Sequence, residues 1–170
     1  MKLDLEAILT MWREDSEISE FNLDEESRKT PSLHAKYLEI HSLTKLRLKK
    51  AELDQKTLLK DKWLYYNGKM DEETIREKGW NFDPFNGLKV LKGDMDHYYD
   101  ADTDIQQSEE RIAYYKTIID TLDEIINNLR WRHSIIKNMI DWLWIVTGKQ
   151  FFPLIAEYQY QHHSSDPYHL

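Results

Sequence analysis

Apolar side chains recur every seventh residue in the C-terminal part of the chain, and this pattern predicts a long coiled-coil helix. One series is Ile105, Ile112, Ile119, Ile126 and Ile140, and the offset series is Tyr115, Leu122, Leu129, Ile136 and Leu143. Two such series in the a and d positions of a heptad are typical of coiled coils rather than of ordinary globular helices. Thr103 and Gln106 have the spacing of a capping box, so we expect the helix to begin near Thr103 and to run to Gly148.

The length of this a/d seam predicts self-association. Apolar residues also occupy the flanking g positions, where dimers usually carry charges; they are Ile118, Ile125, Met139 and Val146. The widened stripe allows each helix to contact partners on both sides. It therefore favours a multi-helix bundle or ring over a dimer, or else the packing of the other long helix of the same chain along that flank. An intramolecular hairpin is the alternative. We favour assembly, because the earlier long helix has no evident seven-residue apolar series.

The rest of the chain is predicted to be helical with one long interruption. Residues 1–29 read as a short amphipathic helix and an acidic connector, and residues 30–68 as a long basic helix capped by Thr30 and Pro31. Glycine and proline recur within residues 69–102, and we expect this segment to form a loop region. Residues 103–148 are the coiled-coil helix, and residues 149–170 a partly ordered tail. The fold class is therefore all-α, with two long helices per protomer joined by a loop.

Composition excludes several classes of protein. The chain has a formal net charge of −8, no cysteine and no apolar run of the length needed to span a membrane. No phosphate-binding glycine loop and no nucleophile constellation occurs, so we expect neither an enzyme nor a cofactor. The acidic residues between Asp94 and Asp104 lack the glycine and glutamate of a calcium loop, and we interpret them as solvated acids before a helix. His162, His163 and His169 form a histidine-rich end, and we expect no metal site there.

The first long helix carries positive charge in an acidic protein. At about 100° per residue, Lys45, Lys49, Lys56, Lys60 and Trp63 fall within about 60° of one another, interrupted by Glu52. Lysines that track phosphates, followed by aromatic rings that stack bases, are suited to single-stranded nucleic acid. The candidate DNA-binding residues are Lys45, Lys49, Lys56, Lys60, Lys62, Trp63, Tyr65 and Tyr66. The alternatives are a solvated lysine face, with the aromatics closing the helix onto the core, and a coiled-coil scaffold that does not bind nucleic acid.

This helix contains two short motifs. Residues 36–42 read Lys-Tyr-Leu-Glu-Ile-His-Ser, and residues 58–68 read Leu-Leu-Lys-Asp-Lys-Trp-Leu-Tyr-Tyr-Asn-Gly. Together they resemble the UvsY-type recombination mediators of T-even-like bacteriophages. The second is similar to the family's Leu-Lys-Ala-Arg, two residues, then Tyr-Tyr-x-Gly. The basic pair of that motif corresponds to Lys60 and Lys62. Lys62 stands in place of the arginine and Asp61 in place of the alanine.

The resemblance implies a function in DNA recombination in the cytoplasm of an infected bacterial host. It implies a homo-oligomeric ring, a hexamer or heptamer closed through the C-terminal helix, that binds single-stranded DNA. It also implies two protein partners, a RecA-like phage recombinase and the phage single-strand-binding protein that the recombinase displaces. On this basis we expect joint replacement of Lys60 and Lys62 by alanine to weaken DNA binding. We likewise expect aspartate at Ile119 and Ile126 to yield monomers.

Overall fold

The computed structural model describes residues 4–83, 85–87, 90–91 and 93–147, and these residues form five helices. They are α1 (Leu5–Ser16), α2 (Leu23–Tyr66), α3 (Glu72–Glu77), α4 (Met95–Asp100) and α5 (Thr103–Thr147). The two long helices α2 and α5 pack together, and no strand occurs in the described ranges. The all-α prediction with two long helices is confirmed. The predicted tail, residues 149–170, lies outside the described residues.

The chain divides into two compact units, and each long helix contributes to both. The first unit is Met1–Lys36 with Ile125–Leu170, and the second is Tyr37–Glu124. In the first unit, α1 and the start of α2 pack with the C-terminal part of α5. In the second, the remainder of α2 packs with α3, α4 and the N-terminal part of α5.

Helix α2 begins earlier than the sequence pattern indicates. It starts at Leu23 rather than at Thr30, and Pro31 lies inside it. Asp24, Glu25 and Glu26 occupy its first turn, where carboxylates interact favourably with the positive end of the helix dipole. Pro31 cannot donate a hydrogen bond to the carbonyl oxygen four residues earlier, and its ring crowds that carbonyl, yet α2 continues through this position.

Most of the a/d series of α5 is buried within the protomer, where α5 packs against α2. This is the intramolecular hairpin, which was the alternative to assembly through the series. Ile105, Ile112, Ile119, Leu122, Ile126, Leu129 and Ile136 are all buried. Aspartate at Ile119 or Ile126 would therefore place a charge in the protomer core, so the predicted loss of assembly in such a variant does not by itself distinguish a contact between subunits from a loss of folding. Tyr115 and Leu143 are half-buried, and Ile140 is exposed.

Helix α2 meets α5 through a seam that the sequence pattern concealed. Its buried or half-buried positions alternate in steps of four and three: Tyr37, His41, Thr44, Leu48, Ala51, Gln55, Leu58 and Lys62. This is heptad spacing, but polar and small residues occupy more than half of it, so no apolar period is visible. We call this face the inner seam.

Arg132 of α5 joins the three helical segments of the first unit. Its guanidinium donates hydrogen bonds to the carbonyl oxygens of Asp15, Ser16 and Glu17 at 3.3, 3.2 and 3.0 Å. Those carbonyls lie at the C-terminal end of α1, where backbone acceptors lack helical partners and positive charge is favourable. The same guanidinium lies 2.7 Å from the carboxylate of Glu26 on α2, and both side chains are buried.

The pKa of Glu26 reflects this contact. Burial raises the pKa of the carboxyl group, but hydrogen bonds and charge from Lys29 and Arg132 outweigh burial and hold it below its ordinary value of 4.5. The ionised form is therefore favoured in the folded state. Its contribution to stability is present above the ordinary pKa and is lost as the pH falls through the lower, folded-state pKa.

We predict that Arg132→Ala lowers the free energy of unfolding by about 3 kcal/mol at neutral pH, because it removes the buried partner of the Glu26 carboxylate and leaves only the exposed Lys29 beside it. Urea unfolding at pH 7 and at pH 3 measures the change. The difference between the variant and the parent should shrink in acid. Arg130→Ala, at an exposed position on the same helix, is the control; an equal loss in both variants would contradict the assignment.

Candidate nucleic-acid interface

The surface of α2 that faces away from the inner seam carries exposed lysines. Lys45, Lys49, Lys56, Lys60 and Trp63 are all exposed, and we call them the outer stripe. The stripe lies about 115° around the helix from the inner seam. Within the described part of the chain, no carboxylate lies at ion-pair distance from Lys45, Lys56 or Lys60. Lys49 lies 3.7 Å from Glu52. The ammonium groups of the first three are therefore available to an anion.

At the C-terminal end of the outer stripe, an aromatic ring and a positively charged group lie next to each other. Trp63 has 42% of its surface exposed. The ammonium of Lys69 lies 4.4 Å from the centroid of its indole ring, a cation–π distance. A flat apolar ring with positive charge beside it can hold a base and its phosphate at the same time.

Lys62 does not belong to this surface, although it is only two residues from Lys60. It lies on the inner seam with 4% of its surface exposed. Its ammonium is 2.8 Å from a carboxylate oxygen of Asp102 and 2.6 Å from one of Asp104. It also lies 4.0 Å from the ring centroid of Trp80. The structure thus corrects the pairing of Lys60 with Lys62, because two residues on a helix differ in direction by about 200°.

Tyr65 and Tyr66 are half-buried in an aromatic cluster rather than presented beside Trp63. The Tyr66 hydroxyl donates a hydrogen bond to Asp102 at 2.6 Å, and the Tyr65 hydroxyl donates to the carbonyl of Asn81 at 2.9 Å. Burial, followed by the hydrogen bond to Asp102, raises the pKa of Tyr66 well above its ordinary range. Both rings contact other aromatics of the second unit, namely Trp80, Phe85, Tyr98 and Tyr99. They close α2 onto the core, which was the alternative interpretation for these aromatics.

Asp102 is the residue of this region that sequence analysis missed. Its carboxylate accepts hydrogen bonds from the backbone amides of Asp104 and Ile105 at 2.9 and 3.2 Å, so it caps α5 in place of the predicted Thr103–Gln106 box. Burial raises its pKa, but the hydrogen bonds from Lys62, Tyr66 and Ile105 and the charge of Lys62 lower it below the ordinary value. The available signal was an aspartate directly before a helix start. It was obscured by the surrounding acidic residues.

A second exposed surface lies on the C-terminal part of α5, in the first unit. Large apolar side chains are exposed there in steps of four, seven and three residues: Trp131, Ile135, Trp142 and Ile145. A groove of about 430 Å³ beside them is lined by Glu20, Ile135, Asn138, Met139, Trp142 and Leu143. We call Trp131, Ile135, Asn138, Trp142 and Ile145 the distal stripe. It is separate from the buried a/d series.

No group of three or more potential metal-ligating side chains comes together among the residues that the structure describes. None of the described helices is long and apolar enough to cross a membrane. His162, His163 and His169 lie outside the described residues.

An all-α pair of long helices, one of which carries a row of exposed lysines, is compatible with a nucleic-acid-binding protein. The family described as recombination, repair and ssDNA binding protein UvsY matches residues 11–149, and the chain belongs to this family. The resemblance is confirmed, and with it a family function in recombination and in single-stranded DNA binding.

Solved structures agree with this assignment at the level of the fold. Crystal structures of the bacteriophage T4 recombination mediator protein UvsY are similar to this chain. The lattice type II form has a TM-score of 0.70 at 23% identity, covering 86% of this chain and 99% of the T4 chain. The lattice type IV form has a TM-score of 0.67 at 22% identity, covering 82% and 96%. No curated protein sequence matches the chain significantly.

We predict that Lys62→Ala lowers the free energy of unfolding by about 3 kcal/mol or more, because it leaves two carboxylates without their buried cation. Lys60→Ala, at an exposed neighbouring position, should change it by less than about 0.5 kcal/mol. Urea unfolding of the two variants measures both values. Adding Asp104→Asn to the Lys62 variant should recover part of the stability, and equal stability of the two single variants would refute the interior role of Lys62.

Proposed function

We propose that this chain is a recombination mediator that holds single-stranded DNA along the outer stripe of α2. The observation that supports this most directly is the row of exposed lysines that ends at the exposed Trp63, in a family that binds single-stranded DNA; three of these lysines, Lys45, Lys56 and Lys60, have no carboxylate at ion-pair distance among the described residues. The family consists of non-enzymatic mediator proteins. Lys62, Tyr65 and Tyr66 support this surface from within and are not proposed as DNA contacts.

The dimensions of the outer stripe suit a short piece of single strand. From Lys45 to Lys60 the helix rises about 22 Å at 1.5 Å per residue, which is enough to follow several phosphates. The lysines supply sequence-independent attraction, and each phosphate contact releases a counterion. Trp63 and the neighbouring Lys69 provide a place for one base at the end of the stripe. Affinity from one such helix is modest, so repetition of the site would strengthen it.

Self-association through α5 provides that repetition, and we propose that the distal stripe is the contact surface. The a/d series from Ile105 to Leu129 is buried within the protomer, whereas Trp131, Ile135, Trp142 and Ile145 are exposed. With Asn138 they follow the alternating four- and three-residue steps of a coiled-coil seam, and a polar asparagine in such a seam specifies register. Large contiguous apolar surfaces of this kind mark interaction sites.

A ring of identical subunits would then present several outer stripes to one strand. Binding at one stripe raises the effective concentration of the strand at the next, so weak sites act together. We propose a hexamer or heptamer, with residues 30–68 as the DNA-binding region and residues 103–148 as the assembly region. Such a particle would hold single-stranded DNA against the phage single-strand-binding protein and help a RecA-like recombinase to load.

We predict that Lys56→Ala together with Lys60→Ala weakens single-stranded DNA binding. The pair should also reduce the slope of log affinity against log salt by about 1.4, since each phosphate that is no longer neutralised lowers that slope by about 0.7. Fluorescence anisotropy with a labelled oligonucleotide across a salt series measures both quantities. The control is Arg47→Ala with Lys50→Ala, which removes the same charge from exposed positions of α2 outside the stripe. Equal effects of the two pairs would show that only net charge matters.

We predict that Trp142→Asp reduces the particle to smaller species without unfolding it, because a charge at an exposed apolar position opposes association and not protomer folding. Sedimentation velocity gives the mass, and circular dichroism gives the helix content. Lys137→Asp introduces an aspartate at an exposed position off the distal stripe and should leave the mass unchanged. A full-size particle from the Trp142 variant would refute this contact surface.

A further inference from the structure

Two exposed leucines lie along one edge of the outer stripe. Leu46 has 68% of its surface exposed and Leu53 has 52%. From Leu46 the helix passes to Lys49, Leu53, Lys56, Lys60 and Trp63 in steps of three and four residues, so leucines and lysines alternate along the helix axis. Around the axis, each leucine lies about 60° from the lysine three residues after it, which places the two kinds of side chain next to each other on the same exposed side.

On α2 the polar and apolar residues are not cleanly separated between an exposed face and a buried face. The inner seam, which is covered by α5, includes His41, Thr44 and Lys62. The exposed side, which faces water, carries Leu46 and Leu53. Single exposed leucines are common, but two at seven-residue spacing along the edge of the outer stripe provide an apolar surface that no described part of the protomer covers.

Lysine alone does not discriminate between single-stranded and duplex DNA, because both present phosphates. A single strand differs in that the flat, weakly polar faces of its bases are accessible, whereas a duplex keeps them stacked in its interior. Apolar side chains at intervals between phosphate-binding lysines can contact such faces. The same side chains find no equivalent apolar surface on the outside of a duplex.

We propose that Leu46 and Leu53 contact the unstacked bases of bound DNA and determine the preference for single-stranded over duplex DNA. This inference rests on the proposed function, since it assigns specificity within the same outer stripe. The lysines provide the salt-dependent part of the affinity and the leucines the salt-independent part. A second copy of this chain is the less favoured occupant, because the distal stripe is uncharged and would leave the lysines without partners.

The test uses full-length Leu46→Ala/Leu53→Ala protein and three labelled probes of equal length: a thymidine oligonucleotide, an abasic oligonucleotide and a duplex. We expect affinity for the thymidine strand to fall about five- to twenty-fold, with the slope against log salt unchanged, because the substitutions remove apolar surface and no charge. Affinity for the abasic strand and for the duplex should change less than about two-fold, because neither offers an accessible base face.

Matched variants separate a base contact from a general effect of removing exposed leucines. Leu9→Ala/Leu91→Ala removes two exposed leucines elsewhere and should leave all three affinities unchanged. Leu46→Tyr/Leu53→Tyr supplies aromatic faces at the same positions and should restore or increase the preference for the thymidine strand.

Three results would overturn the inference while the proposed function stands. One is unchanged thymidine binding by the alanine variant when the parent binds the thymidine strand with a steep salt dependence. Another is an equal fall in affinity on the thymidine and abasic strands. A third is a changed particle mass in sedimentation velocity, which would identify the face as a contact between subunits. Failure of the parent to bind any single strand would refute the proposed function itself.

Discussion

The pairing of α2 with the apolar series of α5 is the constraint on which the rest of the structure depends. Helix α5 must bury a seven-residue series of isoleucine and leucine, and α2 meets it with the inner seam. Because the inner seam packs against α5, the sides of α2 that point away from α5 face water. The orientation of the lysines of the outer stripe is therefore a consequence of packing in the core.

Buried charged side chains form ion pairs between helices at two positions. Lys62 lies between Asp102 and Asp104, and Arg132 lies between Glu26 and the end of α1. A buried ion pair contributes less to stability than its Coulomb energy suggests, because both groups lose hydration. Its stronger effect is directional, since any other helix register would leave a charge without a partner. We infer that these pairs fix the register of a helical pair whose inner seam is rich in small and polar residues.

The sequence was sufficient to predict both long helices, the start of α5 to within a residue, and the cationic side of α2. It was not sufficient to assign Lys62, because periodicity defines the relative directions of side chains but not which direction faces the core. The inner seam of α2 contains His41, Thr44 and Lys62, so its apolar pattern does not indicate the hairpin. The distal stripe was missed because a stronger pattern lies on the same helix. The seven-residue isoleucine series was taken as the surface for assembly, but it lies on the face of α5 that the protomer buries.

The acidity of the whole chain has a consequence for how DNA would be captured by the proposed surface. The protein has a net charge of −8, yet its outer stripe is cationic. At long range the charge of the whole molecule repels a polyanion, and the attraction of the stripe extends only over about a Debye length, roughly 8 Å at physiological salt. If the outer stripe binds DNA as we propose, it captures strands more slowly than a uniformly basic surface would, and only a segment that already lies close to α2 is attracted.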